Sequence, residues 1–106
     1  MPLSSDAAGS IYQVVPSRPV LRYLKKLQDR VLKQRFADLI YDVIAADPYS
    51  GDRKNADLTG VWTMGFRYQK TTYRVAYLIV DEDKIVPILL AGTHEGFYEQ
   101  LKQYIS

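Results

Sequence analysis

The chain has no cysteine, which excludes disulfides, thiolate metal sites and cysteine nucleophiles together. It has a single histidine, so a transition-metal site would need mostly carboxylates, a poor donor set for such ions. Long apolar runs are missing as well. Stretches such as "VAYLIV" and "IVPILLAG" fall well short of the roughly 20 residues that span a bilayer. No basic segment leads into an apolar one at the N-terminus, so no secretory signal and no membrane partner are expected, and the expected compartment is cytoplasmic. Strong charge of one sign is absent too: 14 Lys and Arg face 12 Asp and Glu, for a net +2. That balance alone argues nothing about nucleic acid.

What is present is an ordinary globular composition, 47% apolar and 25% charged, over 106 residues. This suits one compact domain with a single core and little room for a deep enclosed pocket. Function is therefore expected on a surface groove or a sheet face. The cations are unevenly placed. Arg18, Arg22, Lys25, Lys26, Arg30, Lys33 and Arg35 crowd the first helical region, where a solvated helix face is the simplest reading. Arg53, Lys54, Arg67, Lys70 and Arg74 outnumber Asp52 and Asp57 between residues 51 and 74.

"MPLSSDAAGS" lacks periodicity and reads as a disordered leader or tag remnant over residues 1–10, leaving 11–106 as a single domain. "IYQVVP" is a short strand ended by proline. Ser17 then caps a helix with Pro19 in its first turn, where a missing N–H costs little. Val20, Leu21, Leu24 and Leu27 form its apolar stripe, and Val31, Leu32, Phe36, Leu39, Ile40, Val43 and Ile44 form that of a second helix. Asp47-Pro48 ends the second helix. Tyr23 and Tyr41 are expected to pack within these stripes.

"PYSGDRKNADLTG" is polar and turn-rich, a surface loop. Beyond it the period becomes that of strands: "VWTMGFRY", "TTYRVAYLIVD", a "DED" turn and "KIVPILLAG". Trp62 in the first of these suits the core or an interface. Pro87 favours an edge strand, a bulge or an unpaired side for the last. "EGFYEQLKQYI" closes the chain as a short helix with Phe97, Leu101, Tyr104 and Ile105 on one stripe. The expected fold is α+β: a strand, an αα-hairpin, an antiparallel β-meander and a terminal helix. Residues alternate across a strand, so Arg74 and Ala76 share one face while Tyr73 and Val75 share the other. A guanidinium on a strand face must meet water or an anion.

In the order of elements, "LTG", "YRVAYLIVDEDKIVPILLAG", "GTH" and "FYEQL", the stretch from Ile11 to Ile105 resembles the RelE/ParE superfamily of bacterial type II toxins. "GTHEGFY" is more similar to the ribosome-dependent mRNA endonucleases of YafQ type than to the gyrase-poisoning branch. The resemblance implies a RelE-like ribonuclease fold with its site on the concave sheet face. It implies cleavage of mRNA in the ribosome by attack of a ribose 2′-hydroxyl on the adjacent phosphate, without metal or organic cofactor. A base, a cation for the pentavalent phosphate and an acid for the leaving oxygen are the groups such a step requires. The partners implied are the ribosome, its mRNA and a cognate antitoxin, in a toxin-antitoxin hetero-oligomer. A gyrase poison and a catalytically weak, binding-only relative are the alternatives.

The resemblance also places roles. His94 stands where the family has histidine or arginine, and imidazole titrates near ~6.5 in model peptides, which suits a proton carrier. Arg74 matches the strand arginine that grips phosphate, with a salt bridge to Glu82 or Asp83 as its purely structural alternative. Tyr98 matches the aromatic residue that stacks on the scissile nucleotide. Phe97, its neighbour, is assigned to the core, with substrate binding as its alternative. Arg67 and Lys70 are substrate-binding candidates, because this strand lacks the lysines of the nuclease branch. Lys25, Lys26, Lys33 and Arg35 are candidates for ribosomal RNA phosphates. The proton-abstracting group is left open, with Asp52 and Asp57 the nearest acids.

Overall fold

The computed structural model describes residues 11–105, the side chain of Asp57 excepted; the expected leader, residues 1–10, lies outside them. Ser17 and Asp29 set the helical hairpin. The Ser17 hydroxyl accepts from the Val20 N–H at 3.4 Å and donates to the Leu89 carbonyl at 2.9 Å, so the cap of α1 (Arg18–Lys26) is tied to the sheet. The Asp29 carboxylate accepts from the N–H groups of Val31 and Leu32 at 3.0 and 3.2 Å, starting α2 (Arg30–Ala37). The same carboxylate accepts from the Tyr68 hydroxyl at 2.8 Å, which joins the hairpin to the sheet. These bonds, with the Tyr68 contact foremost, hold Asp29 below the usual carboxylate range.

α2 runs on as a π-helical segment, Asp38–Ile44. Its wider turn explains a departure from the expected stripe. Leu32, Phe36, Leu39, Ile40 and Ile44 are buried, whereas Val43 is exposed, because bonds closing one residue later rotate it off the face it would share in an α-helix. Tyr41, expected to pack, is 45% exposed for the same reason. Leu21 and Val31 are also exposed, each beside a stripe residue rather than on the stripe.

The strands are β1 (Gln13–Pro16), β2 (Asp52–Arg53), β3 (Trp62–Tyr68), β4 (Thr71–Tyr77) and β5 (Ile85–Thr93), followed by α3 (Phe97–Ile105). They form one sheet in the order β1-β5-β4-β3-β2, with β1 parallel to β5 and every other pair antiparallel. β2 lies in the segment expected to be loop throughout; two residues pairing with Trp62 and Thr63 are too few for any periodicity to show. β5 is not an edge strand. Pro87 is accommodated next to a bulge, where the β4–β5 register shifts between Ala76 and Tyr77, and its carbonyl accepts from Leu78 N–H at 3.0 Å.

Two cores lie on the two faces. α1 and α2 cover one face, where Phe36 meets Tyr23, Phe66 and Tyr73 edge-on at centroid distances of 5.7, 5.0 and 5.6 Å. Trp62 packs against the same core and against Tyr49 at 5.5 Å. The other face is not free along its whole length: Leu58, Val61, Ala76, Phe97 and Leu101 bury a second core beneath α3. Tyr104 and Ile105, expected on the α3 stripe, are exposed, whereas Phe97 and Leu101 of the same stripe are buried.

At the end of the sheet where β5 begins, the Asp81 carboxylate accepts from the hydroxyls of Tyr12 at 2.7 Å and Tyr49 at 3.2 Å and pairs with Lys84 at 3.4 Å. The bond to Asp81 and burial push the Tyr12 phenol up to about 12, and the same bonds lower Asp81. Asp29 and Asp81 thus both titrate lower in the folded chain than in the unfolded one. Their contribution is fully present above the unfolded aspartate value of about 3.9 and is lost as pH falls through the lowered folded values. Thermal unfolding followed by circular dichroism should show a steep loss of Tm below about pH 4, and Asp29→Asn with Asp81→Asn should lower Tm at pH 7 and flatten that acid limb. Phe36→Ala should cost about 3–5 kcal/mol in urea unfolding, enough to threaten a domain of ordinary stability.

Candidate functional site

The register of three strands assembles the site. Arg74 on β4 stands opposite Gly65 on β3 and Gly92 on β5. One row nearer the β3–β4 turn, Thr72 stands opposite Arg67, and its carbonyl accepts from His94 N–H at 2.8 Å, carrying the β4–β5 ladder one residue past Thr93. Paired residues share a face and alternate residues return to it. Arg67, Thr72, Arg74 and His94 therefore belong to one face, the one α3 covers only at Ala76 and beyond. Tyr73 and Val75 take the opposite side in the first core, as alternation demands.

His94 is fixed from both sides of its peptide. Beyond it, its carbonyl accepts from Phe97 N–H at 3.1 Å, and Gly96 at φ 72° supplies the left-handed backbone of that reversal. The strand thus turns straight into α3 and brings Tyr98 beside His94, ring centroids 6.2 Å apart at 84°. Phe97 points the other way. It is 1% exposed in the second core, so its substrate-binding alternative is set aside: a ring with no free face can offer a nucleotide nothing.

Arg74 is half-buried and donates from Nε to His94 Nδ1 at 2.9 Å. An arginine Nε always carries its hydrogen, so Nδ1 is the bare nitrogen and the neutral imidazole carries its proton on Nε2. The contact consumes one of the five guanidinium donors and leaves the Nη pair for a ligand. No carboxylate among the described residues pairs with Arg74; the salt bridge to Glu82 or Asp83 is not made. Those two residues lie in the turn before β5, at the end of the sheet away from His94.

Arg67 and Lys70, whose register was open, now have places. Arg67 is exposed on the Arg74 face. Lys70 is the second residue of the tight turn between Tyr68 and Thr71, where Gln69 and Lys70 both adopt left-handed backbone, φ 48° and 70°. A two-residue hairpin of this type asks for positive φ at both positions, and non-glycine residues meet it at some strain. An open cleft of about 350 Å³ lies there, lined by Lys70, Thr71, Thr72, Thr93, His94 and Glu95. Arg35 is turned away from the cleft, stacked over Phe66 at 4.8 Å on the helical side.

Two residues of the site were passed over in the sequence. Lys54, held where its N–H donates to Val61 carbonyl at 2.9 Å, lays its ammonium 5.3 Å from the Tyr98 ring centroid. It lies some forty residues from Tyr98 in the chain, and only its place among the basic residues of segment 51–74 hinted at it. Glu95 lines the cleft beside His94. Asp52, exposed on β2, pairs in register with Thr63, under the covered part of the face; the Asp57 side chain lies outside the description. Among the described residues no group of three or more His, Asp or Glu side chains gathers as a metal ion would require, and no helix is long and apolar enough to cross a membrane.

A protein-family model described as the ParE-like toxin of type II bacterial toxin-antitoxin systems matches residues 14–102. No curated protein matches the sequence. Among solved structures, the toxin-antitoxin complex RelBE2 from Mycobacterium tuberculosis is similar at 26% identity and TM-score 0.64, over 78% of this chain and 98% of that one. The free E. coli toxin RelE, as a double-arginine mutant, is similar at 19% identity and TM-score 0.62, over 88% and 97%. The intact E. coli RelBE toxin-antitoxin complex follows at 20% and 0.57, over 76% and 94%. The two E. coli structures establish likeness of fold.

The Arg74–His94 contact has a spectroscopic consequence. Long-range proton–nitrogen NMR on the neutral imidazole should show hydrogen on Nε2 and a bare, hydrogen-bonded Nδ1. Arg74→Met should move the Nδ1 resonance towards that of a free acceptor, and an unchanged resonance would mean that the contact is not formed in solution.

Proposed function

The chain belongs to the ParE-like toxins of type II bacterial toxin-antitoxin systems, and on that premise we propose that it is a ribosome-dependent mRNA endonuclease. The observation that carries this reading is the pairing of Arg74 with an imidazole instead of a carboxylate. A structural arginine is neutralised by an acid. This one has no acid partner among the described residues and keeps its Nη groups, unpaired among them, beside a ring N–H, which is what a phosphate undergoing substitution demands.

In the proposed step the ribose 2′-oxygen attacks phosphorus, loses its proton, and the bond to the 5′-oxygen breaks. A 2′,3′-cyclic phosphate and a 5′-hydroxyl result. Arg74 holds two phosphate oxygens and stabilises the charge that grows on them. His94 hydrogen-bonds the leaving 5′-oxygen from Nε2 as charge builds there, and that oxygen takes its proton from water. Glu95 takes the proton of the 2′-hydroxyl; it is the carboxylate among the residues lining the cleft. Tyr98 stacks on a splayed base, a contact of about 1–3 kcal/mol, and Lys54 behind its ring adds positive charge where the sheet lacks lysines. Arg67 and Lys70 draw in the neighbouring phosphates. The basic surface of α1, with four exposed cations and no acid, suits phosphates of ribosomal RNA.

The proposed protein partner is a cognate antitoxin, as in the RelBE complexes. The groove of about 200 Å³ lined by Arg35, Asp38, Leu39, Val43 and Phe66 offers apolar and charged contacts to a folding segment. A second reading, a gyrase poison, draws support from the ParE-like description of the matching family; it has no need of His94.

Programmed ribosomes with primer extension separate the two. The wild type should cut mRNA in the decoding site, and Arg74→Ala and His94→Ala should each lower the rate roughly 100-fold or more. Glu95→Gln should cost as much, and Lys54→Ala should give a smaller loss. Intact mRNA, together with gyrase-linked DNA breaks that survive His94→Ala, would replace the nuclease by the topoisomerase poison.

A further inference from the structure

Gly92 is the described glycine that the fold does not explain. Gly60 and Gly96 carry left-handed backbone, φ 93° and 72°. A Cβ on Gly51 would run into the Tyr77 hydroxyl, and one on Gly65 would lie 2.5 Å from the Tyr73 carbonyl oxygen and 3.3 Å from Arg74 Cγ. At Gly92, itself buried, the backbone is not left-handed, and apart from its chain neighbours no atom of the described residues lies within 4 Å of where a Cβ would sit. Glycine inside a strand weakens it. A side chain here would fit, and would restrict the unfolded chain.

What Gly92 adjoins supplies the reason. It faces Arg74 across β4 and β5, two residues before His94. A side chain there would stand beside a guanidinium whose Nη donors have no partner among the described residues. On the opposite flank of Arg74 stands Gly65, so the floor on both sides of the guanidinium is bare backbone. We infer that Gly92 is a specificity-determining residue, one that keeps the sheet floor open so the sugar-phosphate backbone of a single RNA strand can lie flat against it. The inference rests on the nuclease reading of the same cleft and adds to it which strand geometry the cleft admits.

The spacing fits such a strand. Arg74 and the Arg67–His94 row are two residues apart along the strands, about 6.8 Å, so successive phosphates each meet a cation. The base between them must leave its stack to reach Tyr98, which a single strand permits and a duplex opposes. A side chain on Gly92 would lift the backbone off Arg74 without touching any residue that transfers a proton.

The test compares wild type, Gly92→Ala, Gly92→Val and Arg74→Ala in the ribosome cleavage assay and in fluorescence anisotropy with a labelled single-stranded oligouridylate at low salt, with thermal unfolding of each and of Gly65→Ala. The expected result is a graded loss, reaching roughly 100-fold for Gly92→Val because of a displacement of about 1 Å at phosphorus, while the Tm of Gly92→Ala is unchanged or raised. Wild-type cleavage that persists at full rate in both Gly92 variants overturns the inference and leaves the nuclease standing. A wild type that does not cut yet binds the oligonucleotide through Arg74, with binding lost in Gly92→Val, removes the nuclease and keeps the open floor. A wild type that neither cuts nor binds overturns both. A Tm drop in Gly92→Ala as large as that of Gly65→Ala would show that Gly92 is structural and would also overturn the inference.

Discussion

The pairing register of β4 with β5 is the constraint on which the rest of this molecule depends. β5 is bonded on both sides, parallel to β1 and antiparallel to β4, and both α1 and α3 are anchored to it, one through the Ser17 hydroxyl and one through the turn that begins at His94. Strand side chains alternate with a period of two, so a slip of one residue would exchange the faces of everything on the strand. His94 and Gly92 would turn into the aromatic core, and Ala91 would come out beside Arg74. The bulge that shifts this register lies between Ala76 and Tyr77, just short of Arg74. It lets the apolar run of β5 fill both cores while its last residues keep the alignment that the site uses.

Behind Arg74 the backbone has little freedom. Tyr73 and Val75, its chain neighbours, are locked in the first core, with Tyr73 stacked on Phe66 at 5.5 Å and edge-on to Phe36 at 5.6 Å. The rigidity required of a transition-state cation is thus supplied by hydrophobic burial on the far side of the sheet. In front, its one hydrogen bond among the described residues runs to a nitrogen of one imidazole. Rigid anchoring from behind and a single neutral contact in front leave the guanidinium both fixed in place and fully charged.

The opposite end of the sheet performs a different task. The Asp81 carboxylate gathers two phenols and an ammonium from the residue just before β1, the turn at Pro48–Ser50 and the turn before β5. Asp29 does the same near the helical hairpin, caps included. Acids are thus spent on structure at positions remote from Arg74, and the cations of the cleft are left without acid partners among the described residues. Stability and charge are separated in space, although the net charge is only +2.

Much of this was legible along the chain because it depends on local rules. Ser17, Pro19 and Asp47-Pro48 mark helix limits wherever they occur, strand alternation alone put Arg74 apart from Tyr73 and Val75, and the motifs "GTH" and "YRVAY" carried the family resemblance. Other features were beyond any local rule. Val43 and Tyr41 left their expected stripe because α2 opens into a π-helical turn, and β2 owes its two residues to a partner strand. Lys54 reached Tyr98, and Arg74 reached His94, only when the sheet brought together segments twenty or more residues apart. Sequence by itself determined the fold class, the order of the longer elements and which side of its strand each of their residues takes, since these follow from short-range periodicity. Only the tertiary structure decided which residues meet, because a meeting is set by register between strands, and register is a property of the packed sheet.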